Sequence, residues 1–285
     1  MSHRTLITAQ ELLALQGGQP VVVLDCSFDL TDSAAGRRAY DAGHVTGALY
    51  AHLDDDLAGF KTGHNGRHPL PDRDDFAAVV GRWGIAPGVQ VACYDAQGGP
   101  YAARAWWLLR WLGHDAVAVL DGGLAAWKES GGAISETANV VQRGRTAQAP
   151  YPATTAAGMP TIDADSLLGQ LGRLRIVDAR AGERFRGEVE PLDPVAGHIP
   201  GATQRFFKDN LQADGRFKPA SQLQQEFAAL GLTAAATPVV QQCGSGVTAC
   251  HNLLAMAHAG LGQTLLYPGS WSEWCADPAR PVARG

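Results

Sequence analysis

The chain has 285 residues, 46% hydrophobic and 18% charged, which suits two ordinary domains and is too apolar for a disordered chain. A net charge of −5 excludes a basic, phosphate-tracking nucleic-acid surface, and no run approaches the ~18 apolar residues that a membrane helix needs. Glycine, at 34 residues, follows no period, and the five cysteines are odd in number with no C-x-x-C pair, so a collagen-like repeat, a disulfide framework and a zinc site are set aside.

The opening MSHRTLITAQELLALQ carries no apolar stretch with a cleavage site, so no secretory leader is expected. Val21-Val22-Val23-Leu24-Asp25 reads as a short buried strand ending in an acid, and a Gly43-His44 turn follows about twenty residues on. Residues 89–95 read as a second apolar run that ends in a polar loop at Asp95. A helix is expected from Tyr101 to a stop at Gly113, then another strand and a segment marked by Gly122, Leu124 and Trp127. From about 130 to 160 Ala, Thr, Gly, Gln and Pro dominate without an apolar period. This reads as a linker that Pro150, Pro152 and Pro160 keep extended.

The series then repeats. Ile176-Val177-Asp178 answers the first strand, Gly197-His198-Ile199-Pro200-Gly201-Ala202 the turn, and residues 239–243 the second strand, now ending in Cys243. A helix from Ala249 to a stop at Gly260 follows, and Gly269, Trp271 and Trp274 keep the spacing of Gly122, Leu124 and Trp127. Strands alternating with helices predict an α/β fold around mainly parallel sheets, in two copies. The boundaries expected are 1–135, a linker at 136–159, and 160–285. With Asp95 where the second copy has Cys243, one working site is expected, and the first copy is expected to be silent.

That site is the loop Cys243-Gly244-Ser245-Gly246-Val247-Thr248 between a buried strand and a helix start. Glycines there permit backbone shapes that a Cβ forbids. Inward N–H groups and the helix dipole make an anion nest that favours a thiolate and holds a persulfide. The same loop on its own is equally a Gly-rich turn with a buried cysteine. Cys26, Cys93 and Cys250 are expected to be buried, and Cys275, near the C-terminus, to be exposed. The tryptophans at 106, 107, 111, 271 and 274 read as packing.

These residues, with Asp121-Gly122-Gly123 and Gly269-Ser270-Trp271, resemble the tandem rhodanese-domain sulfurtransferases over nearly the whole chain. The C-G-S-G-V-T loop is similar to that of the 3-mercaptopyruvate members. The thiosulfate members carry basic residues where Gly244 and Ser245 stand. The resemblance implies two rhodanese-like domains and a Cys243 nucleophile supported by Ser245, His68 and Asp54. It also implies substrate binding by Arg184 and by loop residues Gly244, Gly246, Val247 and Thr248. Among the residues themselves, His52 and His64 compete with His68, and Asp55 and Asp56 compete with Asp54. Arg184 also reads as an ion-pair partner of Glu188. The family's second substrate arginine follows Glu-Pro, but here Glu190-Pro191 is followed by Leu192, which leaves that contact unassigned, with Arg186 as a substitute.

The reaction implied is double displacement through a Cys243 persulfide. It needs no metal or organic cofactor and passes sulfur to a thiol such as thioredoxin or glutathione, or to cyanide. Neither nucleic acid nor membrane is expected as a partner, and the cytoplasm is the expected location. Thiosulfate is the alternative donor. A cysteine phosphatase of the same fold would place arginine where Ala249 stands. A sulfur carrier without catalysis is the non-enzymatic alternative.

Overall fold

The computed structural model describes residues 2–137, 149–155, 157–233 and 238–285; of the expected linker, residues 138–148 and 156 lie outside these. The chain divides into two compact units. The first comprises Met1–Ala58, Pro71–Gly158 and Ala213–Arg216, the second Gly59–Leu70, Met159–Gln212 and Phe217–Gly285.

The first unit runs β1 (Leu6–Ile7), α1 (Ala9–Gln16), β2 (Val21–Asp25), α2 (Ala35–Ala42), β3 (His44–Val45), β4 (Leu49–Tyr50), α3 (Arg73–Arg82), β5 (Gln90–Tyr94), α4 (Pro100–Leu112), β6 (Val117–Leu120), α5 (Gly123–Glu129) and β7 (Ile134–Ser135). Its five-stranded sheet has the order β1-β6-β5-β2-β4, every pair parallel, and β3 and β7 form a small antiparallel pair. Parallel neighbours require crossover connections, which α3, α4 and their loops supply. All side chains of α4 except that of Arg110 are buried, as a helix apolar on every face requires. Pro100 opens it and Gly113 ends it in the left-handed region, at the stop read from the sequence.

The second unit contains α6 (Ala164–Leu168), β8 (Arg175–Asp178), α7 (Gly182–Arg186), β9 (Ala202–Gln204), α8 (Ala220–Ala229), β10 (Val239–Gln242), α9 (Ala249–His258), β11 (Leu265–Leu266) and α10 (Ser270–Trp274). Its sheet has the order β11-β10-β8-β9, again all parallel. This matches β6-β5-β2-β4, so β10 is the counterpart of β5. Trp106, Trp107, Trp271 and Trp274 are fully buried core residues of their own units.

Cys275 departs from expectation. It is 7% exposed, packed in the core with Trp271 and Trp274, and burial pushes its thiol up to about 11. It sits at the C-cap of α10, so the short remaining chain does not leave it in solvent.

A polar network ties α8 to the segment after β9. Burial opposes charge on Glu226, but hydrogen bonds from Lys218, Arg205 and Gln222 hold its carboxyl down at about 2, below the ordinary 4.5. A depressed native pKa stabilises the fold above the unfolded value and is lost as pH falls from 4.5 towards 2. With screening allowed for, the loss is on the order of 1–2 kcal/mol. Glu226→Gln is expected to lack this part of the acid dependence. Urea midpoints that fell in parallel for both proteins over that range would remove the assignment.

Candidate active site

The loop after β10 is shaped by contacts with the start of α10. The Trp271 N–H donates to the Cys243 carbonyl at 3.0 Å and the Ser272 N–H to the Gly244 carbonyl at 2.9 Å. The N–H groups of Cys250 and His251 donate to the carbonyls of Val247 and Thr248, and the Cys250 thiol donates to the Gly246 carbonyl at 3.3 Å. A planar trans peptide sets its N–H opposite its C=O. Five loop carbonyls, those of Cys243, Gly244, Gly246, Val247 and Thr248, are thus engaged, and each following N–H points away from the partner of the carbonyl before it. Such N–H groups are what an anion nest draws on. Gly246 has φ +76°, and a Cβ there would lie 2.2 Å from the Pro268 carbonyl oxygen, so only glycine closes the turn.

Ser270 fixes the cysteine's own backbone. Its hydroxyl accepts from the Cys243 N–H at 3.1 Å and donates to the Tyr267 carbonyl. It is fully buried at φ +53°, the one non-glycine residue with positive φ among the described residues. Such strain persists where the surroundings over-determine it.

The counterpart loop in the first unit holds a carboxyl group of its own. Asp95 follows β5 as Cys243 follows β10. Its carboxylate accepts the N–H groups of Gln97, Gly99, Tyr101 and Ala102 at 2.8–3.0 Å. The first copy's nest is therefore filled by its own side chain.

Ser245 and His68 come together although 177 residues separate them. His68 Nδ1 lies 2.8 Å from Ser245 Oγ, and both residues are buried. Residues 59–70 belong to the second unit despite their place in the first half of the sequence. His52 instead bonds the Ser33 carbonyl, and His64 is exposed, so of the three histidines it is His68 that meets the loop serine. Asp54 lies in the first unit, on the turn after β4. Its neighbours Asp55 and Asp56 engage His52, the Asp55 N–H donating to His52 Nδ1 at 3.3 Å and the Asp56 carboxylate accepting the His52 N–H.

Three arginines surround the loop. Arg184, on α7, is bonded to Glu190 at 2.6 Å and to Asp193 at 3.4 Å rather than to Glu188, which pairs with Arg186 on the exposed surface. Arg186 is thereby engaged away from the loop. Arg180 and Arg67 carry no motif in the sequence that marks them as site residues. Arg180 is buried against Trp271 and paired with Asp178 and Glu190. Burial opposes its charge, and those carboxylates together with the Cys243 sulfur outweigh it. Arg67 pairs with Asp193, its N–H donates to Ser272 Oγ, and its Nη2 would lie 2.8 Å from a Cβ on Gly244. Only its place beside His68 and the missing arginine at Leu192 hinted at it.

The family description "Rhodanese-like domain" matches residues 8–130 and 163–277. A Pseudomonas aeruginosa protein named "Probable 3-mercaptopyruvate sulfurtransferase" is 50% identical, each chain covered completely. A Mycobacterium tuberculosis protein carrying the name of a thiosulfate sulfurtransferase is 41% identical, over 99% of this chain and 98% of its own. The solved 3-mercaptopyruvate sulfurtransferase of Leishmania major superposes with a TM-score of 0.81 at 28% identity, covering 95% of this chain and 74% of that one.

Proposed function

The chain belongs to the rhodanese family, as a sulfurtransferase with two tandem rhodanese domains, and we propose that it takes sulfur from 3-mercaptopyruvate through a persulfide on Cys243. The Cys243 thiolate attacks the donor's thiol sulfur, the carbon–sulfur bond breaks, and pyruvate leaves as its enolate. Ser245 and His68 return the proton that the enolate carbon needs, and the loop N–H groups hold the persulfide. An acceptor thiol, such as thioredoxin or glutathione, or cyanide then takes the outer sulfur, and Cys243 is regenerated. The first copy, its nest filled by Asp95, takes no part in the chemistry. The cytoplasm is the proposed setting. All five cysteines are free, and a reducing compartment keeps them so.

The observation that carries this reading is the buried Ser245–His68 pair beside the nucleophile. Thiosulfate releases sulfite, which leaves as an anion and needs no proton on carbon. A proton relay is useful where a carbanion equivalent departs. Thiosulfate remains the second reading because the 41% identical relative bears that name.

Ser245→Ala is expected to lower kcat for pyruvate release about 10²-fold while thiosulfate turnover changes little. Asp54→Asn tests in the same assay the role that the resemblance gives Asp54. Mass spectrometry of Cys243 after each donor reads the persulfide directly. A higher kcat/KM for thiosulfate, with Ser245→Ala neutral towards both donors, would reverse the choice of donor.

A further inference from the structure

The loop around Cys243 carries no cationic side chain of its own, yet two guanidinium groups meet beside it. A Cβ on Gly244 would lie 2.8 Å from Nη2 of Arg67 and 3.6 Å from Nη1 of Arg184. Both arginines reach this place from outside the loop, Arg184 from α7 and Arg67 from the segment that ends at Leu70. Glycine at 244 leaves the space they fill. The carboxylate of Asp193 binds both, with Arg67 on Oδ1 and Arg184 on Oδ2, and its side chain is only 3% exposed. A carboxylate seated between two forks is the arrangement that a small carboxylate ligand would reproduce.

Charge balance defines how an incoming anion would be received. Arg67, Arg180 and Arg184 face Asp178, Glu190 and Asp193, so the cluster is neutral when every group is ionised. Arg180 is enclosed, whereas the Arg67 side chain is 27% exposed and that of Arg184 18%. These two can therefore turn a free N–H edge to a ligand while Asp193 keeps them in place. Leu192, the residue just before Asp193, is 37% exposed and offers no charge.

We propose that Arg67 is a donor-binding residue whose guanidinium, with that of Arg184, takes the carboxylate of 3-mercaptopyruvate beside Gly244, Asp193 holding both arginines ready. This rests on the proposed donor and names the second cationic contact that Leu192 leaves vacant. Arg67 then sets which donors are accepted, because it reads a carboxylate and not the sulfur.

Mercaptoacetone is the discriminating probe, since it keeps the thiol and the adjacent ketone and has a methyl group in place of the carboxylate. Arg67→Gln is expected to lower kcat/KM for 3-mercaptopyruvate about 10- to 100-fold, mostly through KM, and to change kcat/KM for mercaptoacetone less than about twofold. Arg67→Lys keeps the charge without the fork and should fall between. Because Arg67→Gln strips a buried carboxylate of one of its two partners, Arg67→Gln/Asp193→Asn removes both charges and is expected to show the same donor selectivity. If wild type uses 3-mercaptopyruvate and these variants lose nothing, or lose both donors equally, Arg67 does not bind donor carboxylate. If wild type forms its persulfide from thiosulfate and from neither ketone, the proposed donor fails and the role of Arg67 fails with it.

Discussion

Cys243→Ser is expected to leave no persulfide and to lower sulfur transfer by at least about 10⁴-fold, since serine keeps the shape and removes the proposed nucleophile. The fold should be untouched. The loop is held through backbone groups, the Cys243 and Gly244 carbonyls and the Cys243 N–H, and none of these changes with the side chain. No other cysteine is placed to substitute. Cys26 and Cys93 are fully buried in the first unit, where burial and the neighbouring Cys93 thiol push Cys26 well up. Cys250 is fully buried with its thiol on the Gly246 carbonyl, and Cys275 lies within the core. Intact-mass measurement after donor treatment, with cyanide and thiol acceptors assayed in parallel, checks the outcome. Retention of more than about a tenth of the parent rate would mean that sulfur does not pass through Cys243.

The repeat was legible because each copy spells the same local instructions. A short apolar strand precedes the loop, a glycine stops the helix, and a second glycine begins the next one. Gly122 and Gly269 do occupy the positions that precede α5 and α10. The proposed nucleophile was legible for the same reason, since the chemistry proposed for it depends on neighbours in sequence. Arg67, Arg180 and Ser270 depend on neighbours in space. Nothing local to Arg67 indicates that Ser272 will hold its backbone or Asp193 its side chain. The burial of Arg180 follows from Trp271 lying 4.9 Å from its guanidinium carbon, 91 residues away in sequence. Ser270 looks like an ordinary member of a Gly-Ser-Trp run until its φ of +53° is known. Cys275 misled by its position, because proximity to a terminus is a poor guide where the last helix packs into the core.

Asp95→Ala is expected to be among the most damaging single changes to stability in the first unit. The carboxylate is 1% exposed and accepts four backbone N–H groups at the entry to α4. Burial pushes this carboxyl up, and those four bonds oppose the shift. Alanine would leave all four donors unmatched at the start of the helix that carries Trp106 and Trp107 into the core. Each orphaned donor costs about 1–3 kcal/mol if it stays dry, and with water entering the vacated space a total loss of about 3–5 kcal/mol is expected. Asp95→Asn keeps one acceptor oxygen and should lose roughly half as much. Urea unfolding followed by tryptophan fluorescence measures both. Formate then separates a lost anion from a merely disturbed turn. If the nest binds charge, formate should refill it and restore part of the lost stability in Asp95→Ala, and it should do little for the parent, where the carboxylate is already in place. An Asp95→Ala protein within about 1 kcal/mol of the parent would show that the four N–H groups do not need their anion.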